Sequence, residues 1–274
     1  MKHQKHTSLV SCLVIITIII LEFSASATAK HHEDDGIEFS YIKGSAKGPS
    51  RWGDLKAEWV ACKNGHIQSP IQLSSRKVKV SSDLGDLNKT YHPQNASILN
   101  RGRDITVTWE GDAGSIQVNG THFSLQQTHW HRPSEHTING KRYDLELHMV
   151  HGYTDANGNN KTAVIAVLYK FGAPDTFLSK YIKSVGEVGE HRSLGVMDPS
   201  EIKMGGKMYY RYIGSLTAPP CTEGVIWNIY TKIRTVSREQ VKLLHDAVPY
   251  YAKRNDRPLQ PLNKREIQLY VPKH

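Results

Sequence analysis

Three features of the sequence predict a mainly β fold: one domain around a large, mostly antiparallel central sheet, with short peripheral helices. Apolar and polar residues alternate at Ile105, Val107 and Trp109, at Phe123 and Leu125, and across 142–151 (RYDLELHMVH). That is the period-two pattern of half-buried strands. Two further runs, 162–171 (TAVIAVLYKF) and 225–233 (VIWNIYTKI), are nearly all apolar and β-branched, as in strands covered on both faces. Helical periodicity is sparse. Ser237-Arg-Glu-Gln240 reads as a capping box, followed by Val241, Leu244 and Val248 at helical spacing.

The chain has 274 residues, with 35 Lys and Arg against 26 Asp and Glu, for a formal charge of +9. Apolar residues make up 38% and charged residues 22%, which excludes a disordered chain, a collagen-like repeat and a polytopic membrane protein. No repeat, low-complexity tract or linker divides the sequence, and one core of this size buries most of the apolar surface. Lys and Arg are scattered, not massed into a block interleaved with aromatics. The charge therefore reads as solvated surface, and no nucleic-acid partner is expected.

Taken in order, Lys2 and Lys5 precede an apolar run from Leu9 to Leu21, and small residues follow from Ser24 to Ala29. This is the layout of a signal peptide with cleavage options after Ala27 or Ala29. The run is short for a membrane span, and no membrane anchor is expected. Residues 1–29 are assigned to the signal peptide and 30–274 to one domain of about 245 residues. The stretch to Ser50, with His31, His32, Gly44 and Gly48, reads as an arm. Cys12 goes with the leader, leaving Cys62 and Cys221 as an even pair suited to an oxidising compartment. A bridge between them would close a loop of more than 150 residues, which the chain-entropy model values at ~5 kcal/mol at most. Four N-x-S/T sequons, at Asn88, Asn95, Asn119 and Asn160, fit glycosylated surface loops.

The informative segment runs from Gln127 to His151. On a strand, residues i and i+2 share a face, so His129 and His131 project together, about 7 Å apart. Asn139-Gly140 signals a turn, and an antiparallel return strand would bring His148 alongside. Three imidazoles from two strands make an N₃ metal site with an open position, the catalytic zinc arrangement. Singly, each histidine reads as a solvated or core-satisfied residue, and His136 and His151 read as scaffold. Glu146 stands two positions before His148, and Gln127 two before His129, where an acceptor can fix an imidazole's orientation.

These residues resemble an α-class carbonic anhydrase of the plant secretory-pathway type. The landmarks run in family order over nearly the whole chain: Tyr41, Trp52, Gln68-Ser69-Pro70-Ile71, Leu99-Asn100-Arg101-Gly102, Gln127-x-His129-x-His131, Ser134-Glu135-His136-Thr137, Glu146-Leu147-His148-x-Val150-His151, Ser215-Leu216-Thr217-Ala218-Pro219-Pro220 and Asn255-x-Arg257-Pro258. The resemblance implies Zn²⁺ on His129, His131 and His148, and reversible hydration of CO₂ to bicarbonate by zinc-bound hydroxide. It implies that Thr217 and Glu135 orient that hydroxide. Gln127, Glu146, the Asn255 carbonyl and Tyr41 would support the ligands. Thr217, Ala218, Val150, Val164, Leu216, Val225 and Trp227 would meet the substrate, and Cys62 and Cys221 match the disulfide of secreted members. CO₂, bicarbonate and water are the expected partners, with the protein a monomer.

Two departures from the family pattern stand out. Arg103 occupies the position of the proton-shuttle histidine, and arginine keeps its proton at every relevant pH. Ala218 follows Thr217 where Thr or His is usual. The expected destination is the secretory pathway, ending at the cell wall or extracellular space, or in the plastid stroma reached through that route. The rival expectation is a catalytically weak or inactive binding or storage protein on the same fold. A different zinc hydrolase is disfavoured because the chain has no H-E-x-x-H motif.

Overall fold

Strands form where the sequence alternates or runs apolar. In the computed structural model, which describes residues 37–273, they are β1 (Gln72–Leu73), β2 (Lys79–Val80), β3 (Asn88–Lys89), β4 (Gln94–Asn100), β5 (Ile105–Trp109), β6 (Ser115–Val118), β7 (Thr121–His131) and β8 (Thr137–Ile138). There follow β9 (Lys141–Arg142), β10 (Leu145–Thr154), β11 (Asn160–Phe171), β12 (His191–Met197), β13 (Tyr209–Ser215), β14 (Glu223–Tyr230), β15 (Arg234–Val236) and β16 (Gln268–Tyr270). The signal peptide assigned to 1–29, with His31 and His32, lies outside the described residues. Among these residues no helix is long and apolar enough to cross a membrane.

One large sheet follows the path β12-β4-β5-β7-β10-β11-β14-β13-β16-β2, with β3, β6 and β15 paired at its flanks. Its pairings are antiparallel except β11–β14, β11–β15 and β16–β2. The sheet is thus mixed at its centre. Asn139-Gly140 makes its turn in the small sheet β1-β8-β9, with both residues at positive φ (50° and 80°), the conformation this pair favours.

The central strands are covered on both faces, which is why their sequences lose alternation. Along β11, Ala163, Ile165, Val167 and Tyr169 enter one hydrophobic cluster. Val164, Ala166 and Leu168 enter the other. On β10, Leu145, Leu147 and Met149 join the first cluster, leaving the opposite face to Glu146 and His148. Helix Arg238–Ala247 starts at the reciprocal Ser237–Gln240 capping box and buries Val241 and Leu244.

Within the stretch read as an arm, residues 37–50 are packed onto the domain. Phe39 and Tyr41 are buried, and their rings meet Trp52 edge-on at 5.2 and 5.4 Å. The Trp52 indole N–H also donates to the Ser40 carbonyl at 3.1 Å. A few aromatic anchors without periodicity fix this segment, and no strand or helix pattern announces them.

Cys62, on the short helix Ala61–Asn64, is bridged to Cys221 across a sequence separation of 159. All four sequon asparagines are exposed. Replacing both bridge cysteines with serine should lower the unfolding free energy by about 2–5 kcal/mol, the usual range for a native bridge. Urea denaturation of the native and Cys62→Ser/Cys221→Ser proteins measures this, and coincident curves would show that the bridge adds nothing.

Candidate metal centre

The register of β10 against β7 assembles the site. His148 lies directly opposite His129, and Glu146 opposite His131. The ring centroids of His129, His131 and His148 lie 4.5–5.1 Å apart, and one ring nitrogen from each lies within 4.8 Å of the others. A register shift between Val150 and His151 follows immediately. His151 belongs elsewhere: its Nε2 meets the Tyr91 hydroxyl at 2.7 Å.

Each imidazole of the triad is oriented by one acceptor. His129 Nδ1–H donates to Gln127 Oε1 at 2.9 Å and His131 Nδ1–H to the Asn255 carbonyl at 2.8 Å. His148 reverses the pattern, donating Nε2–H to Glu146 Oε1 at 2.7 Å. These acceptors fix the tautomers, leaving lone pairs on Nε2 of His129 and His131 and on Nδ1 of His148. His131 Nε2 is buried with no hydrogen-bond partner. Burial holds all three pKa values below the ordinary histidine value, and for His129 the charges of His131 and His148 add to it. Three neutral imidazoles with convergent lone pairs and one orphaned buried nitrogen fit Zn²⁺.

Glu146 anchors this arrangement. Its Oε2 accepts the backbone N–H groups of Glu135 and His136, each at 2.8 Å. Oε1 accepts His136 Nδ1–H and His148 Nε2–H, each at 2.7 Å. Burial alone would raise its pKa, but the two histidines and their hydrogen bonds hold it well below the usual carboxylate value. His136, Glu146 and His148 also lie close enough to suggest a second metal group. Both His136 nitrogens are committed, however, Nδ1 to Glu146 and Nε2 to the Tyr212 hydroxyl at 2.7 Å.

Glu135 is fully buried. Its Oε1 accepts the Arg257 backbone N–H at 2.9 Å, while Oε2 has no well-formed hydrogen bond. Burial pushes its pKa up to about 7, against the lowering effects of His148 and of the Thr217 hydroxyl beside it. Thr217 is itself buried. Val164, Val225 and Trp227 share the second hydrophobic cluster, with Val150 and Leu216 packed against it. The Trp227 ring lies 4.8 Å from that of His148, so this apolar wall adjoins the triad. Ala218 packs against the other cluster. No described hydrogen bond joins Tyr41 to the triad; it is buried near the Glu135 charge. Arg103 is 38% exposed, 3.9 Å from Asp104, with its guanidinium 5.7 Å from the Phe39 ring.

Sequence reasoning left several buried polar residues without a role. Arg257 donates to Gln68 Oε1 and the Ser69 carbonyl, both at 2.8 Å, and to the Cys62 carbonyl at 3.0 Å. Gln68 in turn donates to the Cys221 carbonyl at 3.1 Å. Asp104 takes a two-point pair from Arg101 at 2.6 and 2.7 Å and the Thr106 hydroxyl at 2.8 Å. The sequence signals for these were the Asn255-x-Arg257-Pro258, Gln68-Ser69 and Leu99-Asn100-Arg101-Gly102 landmarks.

The model of the eukaryotic-type carbonic anhydrase family matches residues 47–271. Alpha carbonic anhydrase 7 of Arabidopsis thaliana is 48% identical over 273 residues, covering 97% of this chain and 98% of that protein. Among solved structures, dioscorin complexed with ascorbate superposes with a TM-score of 0.82 at 41% identity, over 86% of this chain and 99% of that one. The α-carbonic anhydrase of Thermovibrio ammonificans, in complex with sulfanilamide, gives 0.77 at 37% identity, over 85% and 99%.

The four donors around Glu146 make its side chain hard to remove. Glu146→Ala should cost about 3–5 kcal/mol, the range for stripping one partner from a buried ionic group, in denaturant unfolding of the metal-free protein. A loss under ~1 kcal/mol, the scale of one ordinary hydrogen bond, would contradict the anchoring role.

Proposed function

Because the chain belongs to the eukaryotic-type carbonic anhydrase family, we propose that it is a zinc lyase that hydrates carbon dioxide reversibly to bicarbonate and a proton. The observation that carries this reading is the triad: three oriented neutral imidazoles with converging lone pairs beside an apolar wall. His129, His131 and His148 hold the ion. Bound zinc lowers the pKa of a coordinated water, the behaviour for which carbonic anhydrases are the type case, and so supplies a nucleophile at neutral pH.

The chain's own groups do the rest. Gln127, Glu146 and the Asn255 carbonyl keep the ligands in their tautomers. Glu135 accepts a hydrogen bond from the Thr217 hydroxyl, which would leave the Thr217 oxygen free to accept one from the nucleophile. The gain is orientation, not proton transfer. The Thr217 backbone N–H holds a substrate oxygen. Val150, Val164, Leu216, Val225 and Trp227 offer CO₂ a surface that excludes water. Ala218 presents only a methyl group, with no hydroxyl or imidazole for bicarbonate.

The bridge, the exposed sequons Asn88, Asn95, Asn119 and Asn160 and the leader-like first 29 residues support a secretory route, ending in the cell wall or extracellular space or in the plastid stroma. A second reading, a binding protein on the same fold, is favoured by the likeness to dioscorin, a relative solved with ascorbate. Zinc content and activity separate the two. The native protein should carry one zinc and hydrate CO₂, with the activity lost to chelation. His131→Ala should lose the tightly bound zinc and nearly all hydration. Native-like activity from metal-free His131→Ala protein would overturn the mechanism.

Arg103 sets the second test. Each turnover releases a proton, and a histidine of near-neutral pKa relays it well. Arginine does not titrate in that range, and its charge repels a protonated buffer. Steady-state hydration should therefore rise with imidazole-type buffer concentration, while CO₂ interconversion at equilibrium stays insensitive to buffer. Arg103→His should raise turnover in dilute buffer and flatten the dependence. A native rate already high and flat in dilute buffer would show that another group relays the proton.

A further inference from the structure

A cavity of about 500 Å³ lies on the first-cluster side of the sheet, walled by Lys89, Tyr91, Ser200, Lys203, Met204 and Arg234. Its volume falls in the range of small-molecule sites. Every charged side chain in its wall is basic. We propose that this cavity binds a small organic anion bearing at least two negative charges, a di- or tricarboxylate or a phosphate monoester.

The carboxylates near these cations are already engaged. Asp86, which acts on Lys89, accepts from Lys207 at 2.5 Å and from the Tyr270 hydroxyl at 2.7 Å. Asp175, which acts on Arg234, caps helix Thr176–Tyr181 by accepting the Leu178 amide at 2.8 Å. Glu201 pairs with Lys180. Three cations therefore face a concave space with no counter-charge in its wall, which focuses positive potential there.

Lys89 is exposed, but its head group is held in place. Lys89 Nζ is pinned by the Leu87 carbonyl at 2.8 Å and the Tyr230 hydroxyl at 3.2 Å, which leaves one of its three hydrogens to donate. Arg234 lines the cavity half-buried and brings a charge that persists at every relevant pH. An anionic oxygen can take the remaining Lys89 hydrogen, and charge-assisted bonds of this kind are strong. Lys203 and Ser200 stand exposed at the rim. Tyr91 turns its hydroxyl inward to His151, so it offers the cavity its ring. With Met204, that ring forms an apolar surface for a carbon skeleton. A bare inorganic ion would leave it unused.

Calorimetric titration of the zinc-loaded and zinc-depleted protein with citrate, glucose 6-phosphate and inorganic phosphate tests the proposal. One-to-one saturable binding of citrate or glucose 6-phosphate is expected, unchanged by zinc removal and at least tenfold tighter than that of phosphate. The tighter of the two organic anions identifies the head group. Lys203→Glu and Lys89→Met should each weaken binding at least tenfold. Lys264→Glu, the same charge change at an exposed position outside the cavity, should change it less than twofold. Equal weakening by Lys203→Glu and Lys264→Glu would reduce the effect to surface charge and overturn the site. So would an absence of saturable binding by both organic anions, or phosphate binding as tightly as they do.

Discussion

A carboxylate out of water persists only if its lone pairs are filled, and Glu146 is surrounded by four donors. Those donors come from two parts of the chain, the Glu135–His136 loop and His148. The two backbone amides fix the loop that carries Glu135. His136 passes the contact on to Tyr212, whose hydroxyl meets Ser69 at 2.8 Å. His148 is one of the proposed ligands. Through one carboxylate, the strand carrying His148, the loop carrying Glu135 and the Ser69 segment hold common positions. Ser69 and Ser215 then exchange two bonds, at 2.9 and 3.0 Å, carrying the same constraint to the end of β13, two residues before Thr217.

What could be read from the sequence was whatever depends on local period. The pairing of His148 with His129 follows from an H-x-H strand, a turn signal and a return strand, and the structure has that register. The capping box at Ser237 was equally local. Gln127 and Glu146 were legible because their partners stand two residues away on the same strand. The third acceptor, the Asn255 carbonyl, is 124 residues from His131, and only family resemblance pointed to it. Arg257 was illegible for the same reason, since its partners at Cys62, Gln68 and Ser69 lie nearly 200 residues away. Residues 37–50 misled because edge-to-face aromatic packing has no period. The parallel pairing of β11 with β14 was also hidden, because a strand buried on both faces looks the same whichever way its neighbour runs.

The two faces of the sheet divide the work. One face carries the larger cluster, which includes Leu145, Leu147 and Met149, and it gives β10 a rigid back. The other carries Glu146 and His148 against Trp227 and Val164. An alternating strand can hold a polar constellation in a set geometry only when its reverse side is packed. The Arg101–Asp104 pair, in the connection just before β5, plays a similar part. Asp104 fixes the Thr106 hydroxyl, and Thr106 lies opposite His129. The fixed charges there also act on the triad: Arg101 and Arg103 both oppose protonation of His129, which favours the form that can bind a metal.

Holding a metal and orienting its reactant place different demands on the fold. The three imidazoles stand on paired strands, where register alone sets their separation. Thr217 and Glu135, the proposed orienting pair, stand on loops, which have no register, and orientation is sensitive to displacements of about 1 Å. The chain meets that demand with Arg257. Its backbone amide binds Glu135, and its guanidinium binds the Gln68–Ser69 segment and the Cys62 carbonyl. Gln68 then holds the carbonyl of Cys221, four residues beyond Thr217 and covalently joined to Cys62. The result is a closed circuit of hydrogen bonds and one disulfide around the two loops. A buried guanidinium suits this role because its planar fork fixes direction as well as distance. Lysine could supply the charge there without setting the angle between the two loops.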